Sequence, residues 1–140
     1  MAIGYLTRRL TFAAAHRYRR AEWSDSENER VFGACARPNF HGHTYTCEVT
    51  VRGEIDARTG MLVDLATLDA VLERHVRSRF DHANINLDVP EFAEGKLVPT
   101  GENLARYIFE AVGRELSGGP AVTEVRVAED ATLSATYRGE

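Results

Sequence analysis

The chain has 140 residues, of which 44% are hydrophobic, and its formal net charge is -4. This length supports one hydrophobic core, so a single domain spanning residues 1–140 is predicted. The acidic balance argues against a nucleic-acid partner, because proteins that bind phosphate backbones carry a clustered basic surface. No run of about 18 apolar residues occurs, and the N-terminal residues lack the pattern of an export signal. We therefore expect a cytoplasmic protein without a membrane partner.

The first predicted strand runs from Tyr5 to His16. Alternate residues of a strand share a face, and one face here carries Leu6, Leu10, Phe12, Ala14 and His16. The strand therefore ends in an imidazole on its apolar face.

A polar segment from Arg17 to Phe40 follows, and it is predicted to be a long irregular loop. Loops of this length are uncommon in compact domains unless they serve a site or are mobile. The basic residues Arg17, Arg19 and Arg20 indicate either a solvated rim or a local site for an anionic substrate. The loop also places Cys35 directly before two histidines.

The second predicted strand begins at His41-Gly42-His43 and continues with Tyr45, Cys47, Val49 and Val51 on one face. His41 and His43 share a face and can reach one ion, and His16 supplies a third ligand if the two strands are neighbours. Three neutral imidazoles suit Zn²⁺ and leave its fourth position open, as in catalytic sites. The alternative, ordinary polar strand residues, accounts poorly for three histidines and a nearby cysteine.

Two helices are predicted next. Asp64 caps the first, whose apolar residues keep helical spacing until a turn-forming segment at 80–87, and Thr100 caps the second. Gly118-Gly119-Pro120 ends the second helix after a buried stripe made by Leu104, Tyr107, Ile108, Ala111, Val112 and Leu116. His75 lies on the apolar side of the first helix and is expected to be packed there, and Cys47 is expected in the core.

Two final strands, 122–129 and 133–138, are joined by the tight turn Asp130-Ala131-Thr132. The order ββααββ predicts an α+β fold, with both helices on one face of a four-stranded antiparallel sheet. The edges of such a sheet need cover or a neighbouring subunit, so we expect a homo-oligomer.

The ordered set of motifs resembles the 6-pyruvoyl-tetrahydropterin synthase and 6-carboxy-tetrahydropterin synthase family over almost the whole chain. The matching segments are Phe12-x-Ala14-x-His16, Cys35, His41-Gly42-His43-x-Tyr45, Gly60-Met61-Leu62-Val63-Asp64, Asp81-His82-x-x-Ile85-Asn86, Pro99-Thr100-x-Glu102-Asn103, Glu129 and Tyr137-Arg138-Gly139-Glu140. The resemblance implies a tunnelling fold, in which three subunits join their sheets into a barrel and two such rings stack into a hexamer. It also implies that active sites lie between subunits.

The resemblance further implies Zn²⁺ on His16, His41 and His43, with 7,8-dihydroneopterin triphosphate as the substrate. In the family, Cys35 would be the proton-abstracting base, supported by the pair Asp81 and His82. Thr100, Glu102 and Glu129 are then assigned to substrate binding, with Glu129 also counted among the catalytic residues.

The residue types are consistent with these roles. A free thiol has a pKa of about 8.5, and a nearby metal or protonated His82 is expected to lower that of Cys35. Asp81 is expected to position His82 through a hydrogen bond. Glu129 shares a face with Val125 and Val127, and a carboxylate suits the two adjacent N–H donors of a pterin edge. The alternative for Glu129 is an exposed acid at a strand end.

Five residues separate Cys35 from His41, which resembles the pyruvoyl-forming branch and favours elimination of triphosphate to give 6-pyruvoyl-tetrahydropterin. The alternative is 6-carboxy-5,6,7,8-tetrahydropterin synthase, which serves queuosine and other deazapurine synthesis. Outside the family, a different hydrolase or lyase with a three-histidine metal site remains open. So does a metal-binding or pterin-binding oligomer without catalysis. A further rival is a closed site in which Cys35 is the fourth zinc ligand.

Overall fold

A computed structural model describes all 140 residues. One sheet holds five strands in the order β3-β1-β2-β4-β5. The strands are β1 (Ile3–His16), β2 (His41–Glu54), β3 (Ala83–Asn84), β4 (Ala121–Asp130) and β5 (Leu133–Tyr137). The four long strands pair antiparallel, whereas β3 runs parallel to β1. The α+β class is confirmed, but the sheet is mixed and five-stranded rather than four-stranded and antiparallel.

The helices vary widely in length. They are α1 (Asp25–Phe32), α2 (Leu65–Leu72), α3 (Ser78–Phe80), α4 (Ile85–Asp88) and α5 (Gly101–Glu115). A π-helical turn (Glu73–Arg77) joins α2 to α3, so the predicted first helix is continuous from residue 65 to residue 80. Two 3-10 helices span Gly33–Ala36 and Pro90–Phe92. No helix is both long and apolar enough to cross a bilayer.

Both predicted helix caps are present. A carboxylate oxygen of Asp64 accepts a hydrogen bond from the Thr67 backbone N–H at 3.1 Å. The Thr100 hydroxyl accepts one from the Asn103 N–H, also at 3.1 Å. Each bond satisfies a backbone donor that has no acceptor within the first turn of its helix.

The core lies between the sheet and the two long helical segments. Apolar residues of α2, α3 and α5 pack on the same face of β2 and β4, which buries Cys47 completely and confirms its place in the core. The opposite face of the sheet is polar, and there Glu48 accepts hydrogen bonds from Arg9 at 3.1 Å and Arg126 at 3.2 Å. This division follows from the alternation of apolar and polar residues along the strands.

The segment from Arg17 to Phe40 is not the irregular loop that its composition predicts, because α1 and a 3-10 helix lie within it. Ser24 caps α1 by accepting a hydrogen bond from the Glu27 N–H at 3.1 Å. Asn28 is buried, and its amide donates to the carbonyl oxygens of Arg20, Trp23 and Ser24. Hydrogen bonds of polar side chains therefore hold this segment in place. For that reason its helices do not appear in the hydrophobic periodicity of the sequence.

The segment after α3 also contains elements that the sequence did not predict. The His82 N–H donates to the Ala13 carbonyl at 2.6 Å, and this contact begins the two-residue strand β3 at the edge of β1. Asn84 then caps α4 by accepting from the Leu87 N–H at 3.3 Å. Elements of two and four residues are too short to produce a recognisable period.

The prediction that His75 packs among apolar side chains is wrong. Its ring is 28% exposed and contacts the Glu115 carboxylate, which also binds Arg74. Cys35 and Cys47 are both free thiols.

Candidate metal and substrate site

The pairing of β1 with β2 brings three imidazoles together. The register sets His16 opposite His41 and Ala14 opposite His43, so all three rings lie on the helix-covered face of the sheet. One ring nitrogen from each of the three histidines lies within 4.8 Å of the other two. The predicted convergence is therefore confirmed, and the donor set can hold a metal ion.

Gly42 allows this close pairing. A Cβ atom at Gly42 would lie 3.3 Å from the carbonyl oxygen of Ala14 on the neighbouring strand. Phe40, directly before the histidines, has a φ of 64°, which a non-glycine residue adopts only at a local cost. The chain therefore enters β2 through a strained residue and approaches β1 closely.

His16 is fully buried and has a fixed orientation. Its Nδ1 lies 2.8 Å from the carbonyl oxygen of Pro99, which makes Nδ1–H the donor and assigns Nε2 as the ligand atom. The Tyr45 hydroxyl lies 3.0 Å from Nδ1. Burial, partly opposed by the Pro99 contact, lowers the pKa of His16 to about 4. The ring is neutral near pH 7, as a metal ligand must be.

His41 and His43 complete the donor set. Burial lowers the pKa of His41, and the neighbouring His43 lowers it further. The Nε2 atom of His43 is buried and has no hydrogen-bond partner in the chain. Such an orphaned nitrogen is costly unless a ligand occupies it. These observations fit Zn²⁺, which accepts three neutral imidazoles.

Cys35 lies in the 3-10 helix Gly33–Ala36 and is half-buried. The Tyr18 N–H donates to its carbonyl oxygen at 2.7 Å. Burial, followed by the negative charge of Glu129, raises the pKa of the thiol. The sequence predicts a lowered pKa for the Cys35 thiol, but no side chain of the same chain lowers it. Cys35 also lies outside the group of three histidines, which does not favour a closed site with a fourth protein ligand.

Asp81 and His82 form the predicted hydrogen-bonded pair. The His82 Nδ1 lies 3.1 Å from an Asp81 carboxylate oxygen, and the other oxygen of Asp81 accepts from the Ala13 N–H at 2.9 Å. A φ of 60° at His82 brings the two side chains together. The His82 side chain is 85% exposed, and no hydrogen bond joins it to Cys35 or to the imidazole cluster within the chain.

A cleft of about 250 Å³ contains all three residues assigned to substrate binding, Thr100, Glu102 and Glu129. The Glu129 side chain is only 11% exposed, so the alternative of an exposed acid at a strand end is wrong. Its Oε2 lies 3.7 Å from the His43 Nε2. Glu129 therefore connects the cleft to the imidazole cluster, while the Thr100 hydroxyl is engaged as a helix cap.

Tyr18 is a site residue that the sequence did not predict. Its hydroxyl donates to Glu129 Oε1 at 2.9 Å, and its ring lies 5.0 Å from that of His16. Burial, together with the charge of Glu129, raises the pKa of Tyr18, so the hydroxyl keeps its proton and remains a donor. The available signal was its position two residues after His16, which continues the same strand face.

Comparisons with known proteins agree with this geometry. A family model described as 6-pyruvoyl tetrahydropterin synthase matches residues 5–140. A 6-pyruvoyl tetrahydrobiopterin synthase from Poecilia reticulata is 43% identical over 138 residues, which cover 99% of this chain and 92% of that protein. A 6-carboxy-5,6,7,8-tetrahydropterin synthase from Bacillus subtilis (strain 168) is 34% identical over 111 residues, which cover 76% of this chain and 71% of that protein.

A solved structure of 6-pyruvoyl tetrahydropterin synthase from Caenorhabditis elegans superposes with a TM-score of 0.93 at 36% identity. The superposition covers 100% of this chain and 98% of that chain. The similarity therefore extends over the whole fold, including every element that positions the site.

Proposed function

The chain belongs to the 6-pyruvoyl tetrahydropterin synthase family, and from this premise we propose that it is a zinc-dependent lyase acting on 7,8-dihydroneopterin triphosphate. The proposed reaction eliminates triphosphate and transfers reducing equivalents within the molecule to give 6-pyruvoyl-tetrahydropterin. The observation that carries the proposal is the position of Glu129, between the imidazole cluster and a cleft of about 250 Å³.

His16, His41 and His43 would hold the zinc ion. When bound, Zn²⁺ supplies a Lewis acid that polarises the hydroxyls of the substrate side chain and stabilises developing negative charge. The contribution of the chain is a set of three imidazoles, with His16 oriented by the Pro99 carbonyl. Orientation by such an outer hydrogen bond is usual for histidine ligands.

Glu129 and Tyr18 would orient the pterin. In this proposal the Glu129 carboxylate accepts hydrogen bonds from adjacent N–H groups of the pterin edge. The Tyr18 hydroxyl holds Oε1 of Glu129 and so fixes the plane of the carboxylate. With the pterin anchored there, its side chain extends toward the imidazole cluster.

Cys35 would be the base that takes a proton from the substrate side chain. A thiol must be ionised for this task, yet burial and Glu129 raise its pKa within a single chain. A cationic group beside the thiol is therefore required, either the bound metal or a protonated histidine from outside the chain. The exposed Asp81–His82 pair is such a group if it comes from a second copy, so we propose a homo-oligomer, a trimer or hexamer, with shared sites.

The pyruvoyl product is favoured over the carboxy product by the relative from Poecilia reticulata, which matches more of the chain at higher identity than the relative from Bacillus subtilis. The spacing of five residues between Cys35 and His41 points the same way. Because the second relative covers 76% of this chain, the carboxy-forming reaction remains the second candidate.

Product identification tests the proposal directly. Purified protein is incubated with 7,8-dihydroneopterin triphosphate, and the products are identified by mass spectrometry under anaerobic conditions. We expect 6-pyruvoyl-tetrahydropterin together with free triphosphate. A carboxylated pterin would instead support the second candidate, and an unchanged substrate would contradict both.

The matched control is Cys35→Ala, which removes the proposed base but none of the three imidazoles. We expect this variant to bind the pterin but to release triphosphate at only a small fraction of the normal rate. If the protein were only a metal-binding or pterin-binding oligomer, the variant and the unaltered protein would be indistinguishable in every measurement.

A further inference from the structure

A cavity of about 690 Å³ lies beside the 3-10 helix that carries Cys35, and nothing in the proposed reaction yet uses it. Three arginines, Arg17, Arg19 and Arg37, line this arginine cavity. The cavity is also bounded by Ala34 and Ala36, the two neighbours of Cys35 in the chain. It is therefore a cationic space next to the proposed base.

Arg17 is held in place but incompletely satisfied. Its Nη2 donates to the Ala36 carbonyl at 2.7 Å, and its guanidinium lies 6.0 Å from the centre of the Phe40 ring. The Nε atom is buried and has no acceptor in the chain. No carboxylate forms an ion pair with Arg17, whereas Arg19 pairs with Asp25 at 2.8 Å and Glu94 at 3.1 Å. A positioned guanidinium without a carboxylate partner can bind an oxyanion through the N–H groups that face the cavity.

Arg37 provides a second available cation. Its side chain is exposed at the cavity wall and forms no ion pair. Two carboxylates also line the cavity. Asp25 is 93% exposed and is neutralised by Arg19, which leaves Glu29 as the one lining carboxylate without a cationic partner. The cavity thus offers two unpaired guanidinium groups against one unpaired acid.

We propose that the arginine cavity binds a linear polyphosphate, namely the triphosphate chain of the substrate. This inference rests on the proposed function, since it assigns the part of the substrate that the pterin cleft and the imidazole cluster do not hold. Arg17 directly follows His16 in the chain, so the cavity borders the segment that carries one of the three imidazoles. Planar guanidinium groups recognise phosphate oxygens in pairs, which a lysine cannot reproduce.

Titration calorimetry with inorganic tripolyphosphate tests the cavity without requiring catalysis. We expect binding to the unaltered protein that weakens about tenfold in Arg37→Gln, as expected for loss of a hydrogen bond to a charged group. Arg17→Lys should weaken binding by a similar factor, while Glu29→Gln should strengthen it by removing an opposing charge. Arg58→Gln, which changes an exposed arginine without an ion pair away from the cavity, should have no effect.

Equal affinities of Arg37→Gln, Arg58→Gln and the unaltered protein would overturn the inference. Because Arg37 is exposed, its replacement leaves the core intact, and this comparison stands even if Arg17→Lys fails to fold. Turnover distinguishes the two proposals. If triphosphate is released but the KM of Arg37→Gln is unchanged, the cavity assignment fails and the proposed function stands. If tripolyphosphate binds through the arginines but no pterin is converted, the proposed function fails and the cavity remains an anion site.

Discussion

The imidazole cluster and the Asp81–His82 pair both lie beside the end of β1. They differ in how completely the surrounding residues of one chain enclose them. The cluster is assembled within the chain, and its three ligand nitrogens already lie within 4.8 Å of one another. The pair lies at the sheet edge, where the His82 side chain is 85% exposed and forms an ion pair with Asp81 alone. Under our proposal, the metal half of the site is complete in one chain, and the half that moves protons is completed by another.

The difference follows from how each region is packed. His16 is positioned by the core and by Pro99, so burial itself selects the neutral ring that a metal requires. His82 is held by a backbone contact to Ala13 and a hydrogen bond to Asp81, which fix its position but leave the ring open. A prearranged but open side chain at a sheet edge is well placed to meet a partner that pairs there.

The largest expected effect comes from breaking the cluster. His43→Ala should lose bound zinc and reduce triphosphate release to background, because two imidazoles leave the ion without a third protein ligand. Metal analysis and an activity assay on the same preparation check this. The control is His75→Ala, which changes a histidine on the helical surface and should retain both properties. Retention of a full equivalent of zinc in His43→Ala would show that the ion binds elsewhere.

Replacing the proposed base separates metal binding from proton transfer. Cys35→Ala should retain zinc and the pterin but lose turnover by a factor on the order of 10²–10⁴, the usual contribution of a general base. Zinc content, pterin binding and turnover should be measured together. A variant that loses its zinc would identify Cys35 as a ligand, and the division between the two halves of the site would then be wrong.

A smaller effect is expected within the cleft. Tyr18→Phe removes the hydrogen bond to Glu129 but keeps the ring beside His16, so the KM should rise by about fivefold, corresponding to one ordinary hydrogen bond. Steady-state kinetics can measure this change. The matched control is Tyr107→Phe, which should leave KM unchanged. Tyr107 is half-buried and packs against Phe80 and Phe92.

Asp81 should make the smallest contribution, visible in stability at low pH. The Ala13 N–H, followed by His82 and Arg77, lowers the pKa of Asp81. A lowered pKa in the folded state contributes stability above the ordinary pKa of 3.8, and this stability is lost as the pH falls through the lowered value. Thermal unfolding of Asp81→Asn should therefore approach that of the unaltered protein in acid and fall slightly below it near neutrality. A constant difference at every pH would contradict this.

The elements with strong periodicity were predictable from the sequence. The four long strands, the two main helices and their caps at Asp64 and Thr100 all follow from alternation, helical spacing and capping residues. The same patterns predicted the convergence of the imidazoles, because the period of a strand decides which side chains share a face. Glu129 was placed inward by the same argument.

Features held by polar contacts were not predictable. Helix α1 depends on a buried Asn28, and strand β3 depends on a short backbone pairing with β1 that begins at His82. Neither kind of contact produces a periodic pattern of apolar residues in the sequence. The expected apolar packing of His75 failed for a similar reason, because Glu115 comes from a different helix and no local pattern shows that the two side chains meet.

Complementation between two inactive variants tests the central comparison most directly. Cys35→Ala and His82→Ala chains are co-expressed with different tags, and the mixed oligomers are isolated and assayed. If each site combines Cys35 of one chain with His82 of another, random assembly restores about a quarter of the sites in mixed hexamers and about a third in mixed trimers. The activity should rise to that fraction of the activity of the unaltered protein. Mixed oligomers no more active than the average of the two variants would show that each chain builds its site alone, and would contradict the account.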